Sequence, residues 1–304
     1  MLVTVAMVMA RGVRVFSSTH WLGIPVALLG AVFLAFGTIY QGRGVEGGGN
    51  ATGFSALARR PVWLAGTGML GGAVILQLTA LRYSPLMVVQ PIGATALVVT
   101  ALAGIRRSRR LPDRRQGWAI ALCVLGIGAF VTVAALSAQD VEINDRHLRT
   151  ILILLAFAIA AVLLTAGWIR RHPNAGVATA GAGILYGFVA TLAKTVIVRI
   201  AQGEFGWLSL AGFVGLAAAL VLGVDLVQKA HARGGSDELV VAGLTVVDPM
   251  VAVLLGIIVL GEADTAPPIA VLGYLAAGAV AIAGVWLVST PHEAPQPAPP
   301  PASR

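Results

Sequence analysis

The chain has 304 residues, of which 58% are hydrophobic and 11% are charged, and its mean hydropathy is +0.88. A soluble domain normally carries about 25% charged residues, so this composition excludes a water-soluble protein and indicates a chain that lies mostly in lipid. The net charge of +8 does not indicate a nucleic-acid partner, because the basic residues lie between apolar runs rather than in one patch. The single cysteine, Cys123, excludes a disulfide framework and a paired-cysteine metal or redox site.

Residues 1–20 form an N-terminal extension before the first long apolar run. Their own apolar stretch, Met1–Ala10, is too short to span a bilayer. Arg11 and Arg14 follow this stretch rather than precede it, which is unlike a signal peptide. We therefore expect an extension without a fixed structure.

Nine apolar runs are long enough to cross the membrane, since a spanning helix needs roughly 20 apolar residues. They lie at about 21–41, 61–81, 84–105, 116–136, 148–169, 176–200, 207–228, 238–260 and 269–289. The linkers between them are too short for a soluble domain. The fold predicted is an all-α polytopic membrane bundle of about nine transmembrane helices, with ten as the upper bound.

The distribution of arginine and lysine predicts the orientation, because these residues mark the cytoplasmic side. Segment 105–116 holds six arginines and is expected to be cytoplasmic. Alternate threading then puts the N-terminus outside and the C-terminus inside, with Arg11 and Arg14 as the exceptions. Heavy use of Ala, Gly, Val and Arg is typical of a GC-rich bacterial gene, so we expect a multi-pass protein of a bacterial cytoplasmic membrane.

A short motif occurs twice, as Val-Val-Gln-Pro at 88–91 and as Val-Val-Asp-Pro at 246–249. Upstream of each motif a glutamine precedes an arginine by five residues: Gln77 and Arg82, then Gln228 and Arg233. In the predicted topology the two motif helices run in opposite directions. Inverted repeats with interrupted helices are typical of secondary transporters.

This repeat predicts the domain organisation. The first transmembrane repeat is expected at 21–136 and the second at 148–289. Residues 290–304 are rich in proline and are expected to form a disordered, extended tail.

The motif regions resemble the drug/metabolite transporter superfamily. Ala80–Pro85 and Val89–Ala94 resemble its first-half signature, and Thr245–Pro249 with Leu260–Glu262 resembles its second-half counterpart. Over roughly 61–289 the chain is most similar to the EamA-like and NIPA-like (magnesium-transporter-like) branches. Many superfamily members have ten helices, and a nine-helix layout is similar to the NIPA-like branch. The resemblance implies secondary transport of a small metabolite, of Mg²⁺ or of another divalent cation.

Asp248 is the leading candidate for a binding residue. It lies in the middle of a predicted span, where an acid costs about 2.5–3.5 kcal/mol on insertion scales. Pro249 lacks the N–H that the Thr245 carbonyl would accept in a regular helix. Thr245 and Asp248 together therefore predict a site for a cation, a proton, an amine or a hydroxyl, and any metal that the protein carries would bind at Asp248. The structural alternative is that Asp248 pairs with Lys194 or caps the half-helix after Pro249.

Gln90 occupies the matching position in the first repeat. Pro91 follows it and removes a helix hydrogen bond in the same way, so Gln90 is expected to be a neutral counterpart of Asp248 in the substrate site. Helix breaks are predicted at Pro91 and at Pro249.

Two further charged residues lie within predicted spans. Lys194 either contacts an anionic substrate, pairs with Asp248, or extends its ammonium group to the membrane interface. Asp225 either lines an inner vestibule as a substrate-binding residue or is an interfacial acid near Lys229.

Other residues in the spans are expected to serve packing. Glu262, at the end of Leu-Gly-Glu, is predicted to be a structural cap at the outer interface, and Gln77 an interhelical hydrogen-bond donor. The glycine pairs Gly68–Gly72 and Gly183–Gly187 allow close helix contact. Such a face also permits a homodimer, although packing within the bundle is favoured.

The function predicted is therefore a secondary transporter that moves a small molecule or an ion by alternating access, with no cofactor and no enzymatic activity. The chain lacks a Walker A motif, so we expect a gradient rather than ATP to supply the energy. The alternatives are a flippase for a lipid-linked intermediate or an accessory membrane subunit. A membrane-embedded enzyme is a weaker alternative, since the cluster at Asp145–His147 is typical of solvated loop charge.

Overall fold

The computed structural model of the chain describes residues 19–46, 59–108, 114–139, 141–171, 175–232, 237–264 and 266–289. Four features of the sequence analysis lie outside the described residues: residues 1–18 of the predicted extension, residues 109–113 of the arginine-rich segment, Arg233, and the predicted proline-rich tail.

The described residues form ten α-helices and connecting turns, with no strand among them. The helices are α1 Gly23–Glu46, α2 Pro61–Tyr83, α3 Leu86–Gly93, α4 Thr95–Ser108, α5 Arg114–Ser137, α6 Asp145–Arg171, α7 Ala175–Ala201, α8 Trp207–Ala232, α9 Asp237–Ile258 and α10 Pro268–Ser289. One 3-10 turn, Thr19–Leu22, precedes α1. The predicted all-α polytopic bundle is confirmed.

The nine predicted spans correspond to these helices, because α3 and α4 together form one apolar segment, Leu86–Arg107. Seven segments of the described chain are long and apolar enough to cross a membrane. The apolar parts of α9 and α10, Gly243–Ile258 and Pro268–Gly284, are shorter. Large apolar side chains such as Leu125, Phe157 and Leu164 are exposed on the bundle, as expected of a surface that faces lipid.

Proline determines where the helices of the first motif begin and end. Ser84 is extended between α2 and α3, because the ring of Pro85 disfavours a helical residue before it. After Pro91 the hydrogen bonds tighten to three-residue spacing, from the Ala94 N–H to the Pro91 carbonyl and from the Leu97 N–H to the Ala94 carbonyl. The predicted break therefore follows Pro91, whereas α9 continues as a helix through Pro249 to Ile258.

The last helices of the two predicted repeats, α5 and α10, are antiparallel. Gly126 of α5 lies against Ala281 of α10, and Cys123, earlier in α5, lies against Gly284, later in α10. The motif helices behave in the same way: Leu86, the first residue of α3, lies against Gly256 near the end of α9. Equivalent helices of the two halves thus run in opposite directions, as an inverted repeat requires.

The helix neighbours agree with the predicted repeat. In the first half, α1 packs against α2 and α4; in the second half, α7 packs against α8 and α9. The contact of α5 with α10 joins the halves. In this arrangement α6 is the one described pass of the second half that has no counterpart in the described part of the first.

Two hydrogen bonds identify the opposite ends of the bundle. After α5, the Gln139 N–H donates to the Glu262 carbonyl at 3.0 Å, and we call this the Glu262 end. Before α2, the Arg60 guanidinium donates to the Gly44 carbonyl at 2.8 Å, and we call this the Arg60 end. The chain passes alternately between them, so α3 and α10 start at the Glu262 end and α9 starts at the Arg60 end.

The contact of α5 with α10 predicts a stability difference between two glycines of α5. A methyl group at Gly126 would overlap the backbone of Ala281, whereas no atom lies within 4 Å of a methyl group at Gly128. Gly126→Ala should destabilise the protein by about 1–3 kcal/mol through overpacking, and Gly128→Ala should leave it unchanged or slightly more stable. Thermal unfolding of the detergent-purified variants, followed by tryptophan fluorescence, measures both. Equal melting temperatures would contradict the packing described.

Candidate functional site

A cavity of about 330 Å³ lies among α1, α2, the α3–α4 junction and α9. Most of its lining residues are Gly, Ala, Val and Leu. Four residues with polar side chains also line it: Gln77, Gln90, Thr245 and Asp248. A few polar groups in an apolar cavity of this size are typical of small-molecule sites.

The antiparallel crossing of α3 and α9 brings Gln90 and Asp248 to one cavity. Each residue directly precedes the proline of its motif, and Pro91 and Pro249 together border a second, apolar cavity of about 100 Å³ beside the first. Of the residues predicted to bind substrate, the structure brings together Gln90, Thr245 and Asp248. These three come from both predicted repeats.

Asp248 has an uncompensated oxygen atom. The side chain is partly buried, and its Oδ1 atom is buried with no hydrogen-bond partner in the described part of the chain. Nor does any Lys, Arg or His of the described ranges form an ion pair with it. Placing an unpaired carboxylate in an apolar interior costs several kcal/mol. A donor or a positive charge that entered the cavity would therefore be bound favourably at this oxygen.

The wall behind Asp248 is held by the predicted glycine pair of α7. A methyl group at Gly183 would lie 2.7 Å from the Val247 Cβ atom, and one at Gly187 would lie 3.0 Å from the Asp248 carbonyl oxygen. The absence of side chains at both positions lets the backbones of α7 and α9 approach closely.

The two glycines of the other predicted pair, on α2, have different surroundings. A methyl group at Gly72 would contact Phe33 of α1, whereas no atom lies within 4 Å of a methyl group at Gly68. Of this pair, Gly72 therefore lies in the contact with α1 and Gly68 does not.

Lys194 does not line the Asp248 cavity and does not pair with Asp248. Its ammonium group donates to Glu262 Oε1 and to the Ser84 carbonyl, each at 2.9 Å, and the residue is 8% exposed. The physical reason lies in α7: Lys194 is seven residues beyond Gly187, which is roughly 10 Å along a helix. Of the alternatives predicted for Lys194, pairing with Asp248 is therefore wrong, and the residue does not join Asp248 in the predicted substrate site.

Asp225 also lies away from the cavity. It forms an ion pair with Lys229 one turn along α8, and both side chains are nearly half exposed. Of the two predicted roles, an interfacial acid near Lys229 is the one that agrees with this geometry.

Glu262 is a cap, as predicted, but it caps a helix of the other repeat. Its carboxylate accepts the backbone N–H groups of Leu86 at 2.8 Å and of Met87 at 3.0 Å, at the start of α3. Gly261 has a φ of +74°, a conformation that glycine adopts without strain. This left-handed residue lies in the turn after α9 and directs Glu262 back toward α3, which gives the Leu-Gly-Glu sequence a physical role.

Gln77 is the cavity residue that sequence reasoning did not assign to the site. It was predicted to be a hydrogen-bond donor between helices, yet it lines the cavity with Gln90 and Asp248. The signal that could have identified it was the repeated spacing from glutamine to arginine upstream of each motif.

The cavity contains one carboxylate. Among the described residues, no three His, Cys, Asp or Glu side chains converge as a metal site. A cation at Asp248 would therefore take its other ligands from amide, hydroxyl or carbonyl oxygens and from water, which is a ligand set that Mg²⁺ accepts.

This chain is similar over most of its length to a known protein. No family model matches the chain, and no solved structure matches it. An uncharacterised protein of Corynebacterium glutamicum is 27% identical over 252 residues, which cover 80% of this chain and 86% of that protein.

The uncompensated oxygen predicts that Asp248→Asn stabilises the protein when no solute is bound. The substitution replaces an unpaired charge by a neutral amide, and such gains are common where a site is built for binding rather than stability. At pH 8 we expect the melting temperature of Asp248→Asn to rise by a few degrees, on the order of 1 kcal/mol. Asp225→Asn is the matched control, since an exposed pair contributes about 0–1 kcal/mol. A lower melting temperature for Asp248→Asn would contradict this account.

Proposed function

We propose that this multi-pass membrane protein is a secondary transporter that moves a small polar solute by alternating access. The observation that carries the proposal is the shared cavity: helices of both predicted repeats contribute to it, and it contains the unpartnered Oδ1 atom of Asp248. Inverted repeats that enclose a polar site between them are characteristic of this class of protein.

The polar groups of the cavity favour a positively charged solute. A protonated amine donates hydrogen bonds, and the Asp248 carboxylate with the amide oxygens of Gln77 and Gln90 accepts them. Mg²⁺ is the second candidate, in a largely hydrated form, because the ion retains several waters when few carboxylates are present. An amine or Mg²⁺ is thus the solute class to test first.

The resemblance of both motif regions to the drug/metabolite transporter superfamily supports the same proposal. We assign the chain to the EamA-like or NIPA-like part of that superfamily. We place it in a bacterial cytoplasmic membrane, with the N-terminus outside and the Arg60 end on the cytoplasmic side, because Arg106 and Arg107 lie at that end. An ion gradient or the gradient of the solute itself would drive transport.

Asp248 has a defined role in this proposal. Bound solute neutralises its carboxylate, so the loaded cavity loses the free-energy cost of the unpaired charge. Only interactions that differ between two states can shift their populations. The free energy released on binding therefore favours a closed state when the cavity is loaded but not when it is empty.

Transport by the purified protein in proteoliposomes tests the proposal. Uptake of Mg²⁺, of small primary amines and of amino acids should be measured under proton, sodium and solute gradients. We expect uptake of one class, and we expect Asp248→Asn to lower it by about tenfold or more, since a charge-assisted contact contributes roughly 1.5–3 kcal/mol. Asp225→Asn is the matched control and should retain the parent rate.

Two results would count against the proposal, and they differ in what they contradict. Equal uptake by Asp248→Asn and by the parent would contradict the assigned site. Failure of correctly inserted protein to move any solute of the panel would contradict transport of this solute class.

A further inference from the structure

A second polar cluster, made of Ser84, Lys194 and Glu262, joins the two predicted repeats at the Glu262 end. Lys194 Nζ lies 2.9 Å from Glu262 Oε1 and donates to the Ser84 carbonyl at 2.9 Å. All three residues are buried: Ser84 is 1% exposed, Lys194 8% and Glu262 1%. We refer to these three residues as the Lys194 cluster.

Every charge of the Lys194 cluster is compensated. Glu262 Oε1 accepts from Lys194 and from the Leu86 N–H, and Oε2 accepts from the Met87 N–H. A buried ion pair persists when further hydrogen bonds complete its geometry. The fit around it is tight, because a methyl group at Gly256 would lie 2.7 Å from Glu262 Oε2. The cluster therefore fixes the start of α3 against the turn after α9.

The Asp248 cavity extends away from this cluster. Its lining at the α3–α4 junction runs from Gln90 to Ala94, and in α9 from Leu244 to Pro249. Since α3 starts at the Glu262 end and α9 ends there, both stretches lie on the Arg60 side of Leu86–Val89. The first turn of α3 thus lies between the cavity and the Lys194 cluster.

The chain between the cavity and the Lys194 cluster is solidly packed. The four residues Leu86–Val89 of α3 are each 1% exposed or less. Leu260, just after α9, is 1% exposed and Leu192 of α7 is fully buried. In α3, in α7 and in the turn after α9, the residues between the cavity and the Glu262 end are therefore closely packed, and the Lys194 cluster lies among them.

We infer that the ion pair of Lys194 and Glu262 is the gate at the Glu262 end: it holds this end closed in the state described here and separates when the cavity opens toward this end. The inference rests on the proposed alternating-access transport. To open a path from the cavity to this end, the start of α3 must leave the turn after α9, and this one movement removes Glu262 from the Leu86 and Met87 N–H groups and from Lys194.

An ion pair suits such a gate for a physical reason. In the closed state the charges compensate each other in a dry interior, and in the open state water enters and hydrates them separately. Both states therefore satisfy the same groups, so the exchange costs less than exposing a wholly apolar plug. The two charges are not interchangeable, because a lysine at 262 could not accept the N–H groups of α3.

Cysteine accessibility tests the gate without knowledge of the solute. The parent for the test is Cys123→Ala, which removes the single cysteine. Gly93→Cys then reports on the cavity, because Gly93 lines it and no atom lies within 4 Å of its added Cβ position. Glu142→Cys, on the exposed turn before α6 at the Glu262 end, marks that side of the membrane. A membrane-impermeant thiol reagent is applied from the Glu142 side of oriented vesicles.

We expect Glu142→Cys to react rapidly and Gly93→Cys to react slowly from that side. Adding Lys194→Met should accelerate labelling of Gly93→Cys by about tenfold or more, since removal of one partner of a buried pair strongly destabilises the closed arrangement. Lys229→Met is the matched control, because it removes the same charge from the exposed pair with Asp225, and it should leave the rate unchanged.

Three outcomes would overturn the gate. The first is rapid labelling of Gly93→Cys from the Glu142 side when Lys194 is intact. The second is an equal labelling rate in the Lys194→Met and Lys229→Met backgrounds. If Lys194→Met does not accumulate, Glu262→Gln replaces it, and the third outcome is failure of both to accumulate, which would make the pair a structural support rather than a gate. Because labelling needs no solute, the gate can fail while transport is demonstrated, and transport of the tested solutes can fail while the gate is demonstrated.

Discussion

A carboxylate in the interior of an apolar bundle raises the free energy of the protein unless a hydrogen-bond donor or a positive charge compensates it. Asp248 is such a carboxylate, because its buried Oδ1 atom has no hydrogen-bond partner in the described part of the chain. The antiparallel crossing of α3 and α9 places it on a cavity beside Gln90, and the close contact of α7 with α9 fixes the backbone at Asp248. The packing of the surrounding helices offsets the free-energy cost of the unpaired Oδ1 atom. The cavity is consequently a place where a bound donor or cation lowers the free energy of the whole bundle.

In the same membrane-embedded interior, the charges of the Lys194 cluster are fully compensated, unlike that of Asp248. Glu262 has three donors within 3.0 Å, and Lys194 has two acceptors at 2.9 Å. A compensated pair holds elements together, whereas an uncompensated acid attracts a ligand. The distribution of hydrogen-bond partners, rather than depth in the bundle, thus separates the residues that hold this structure from the residue that we propose to bind the solute.

The sequence predicted those parts of the structure that depend on local pattern. The apolar runs predicted the passes, and the repeated motif predicted that Gln90 and Asp248 belong together, because each lies directly before a proline of an inverted pair. The pairing of Asp225 with Lys229 was also foreseeable, since both lie one turn apart on α8. In each case the relevant neighbours are close in sequence or related by the repeat.

The partner of Lys194 could not be predicted in this way. Glu262 is 68 residues away, on a turn whose direction depends on the left-handed Gly261, and the Ser84 carbonyl belongs to the other half of the chain. Which helices are neighbours decides such a contact, and hydropathy does not encode it. The position of Gln77 on the cavity was missed for a similar reason, because its place on α2 predicts burial but not whether a helix or a cavity lies opposite.

The difference between the two motifs has its own physical logic. Two carboxylates at the positions of Gln90 and Asp248 would repel each other across one cavity, and one of them would remain protonated. A glutamine at the first position keeps the capacity to accept a hydrogen bond without adding a second charge. A single bound positive charge then neutralises the cavity completely. Both halves of the chain therefore shape the cavity, and the second half supplies its charge. This arrangement fits a solute with one cationic group.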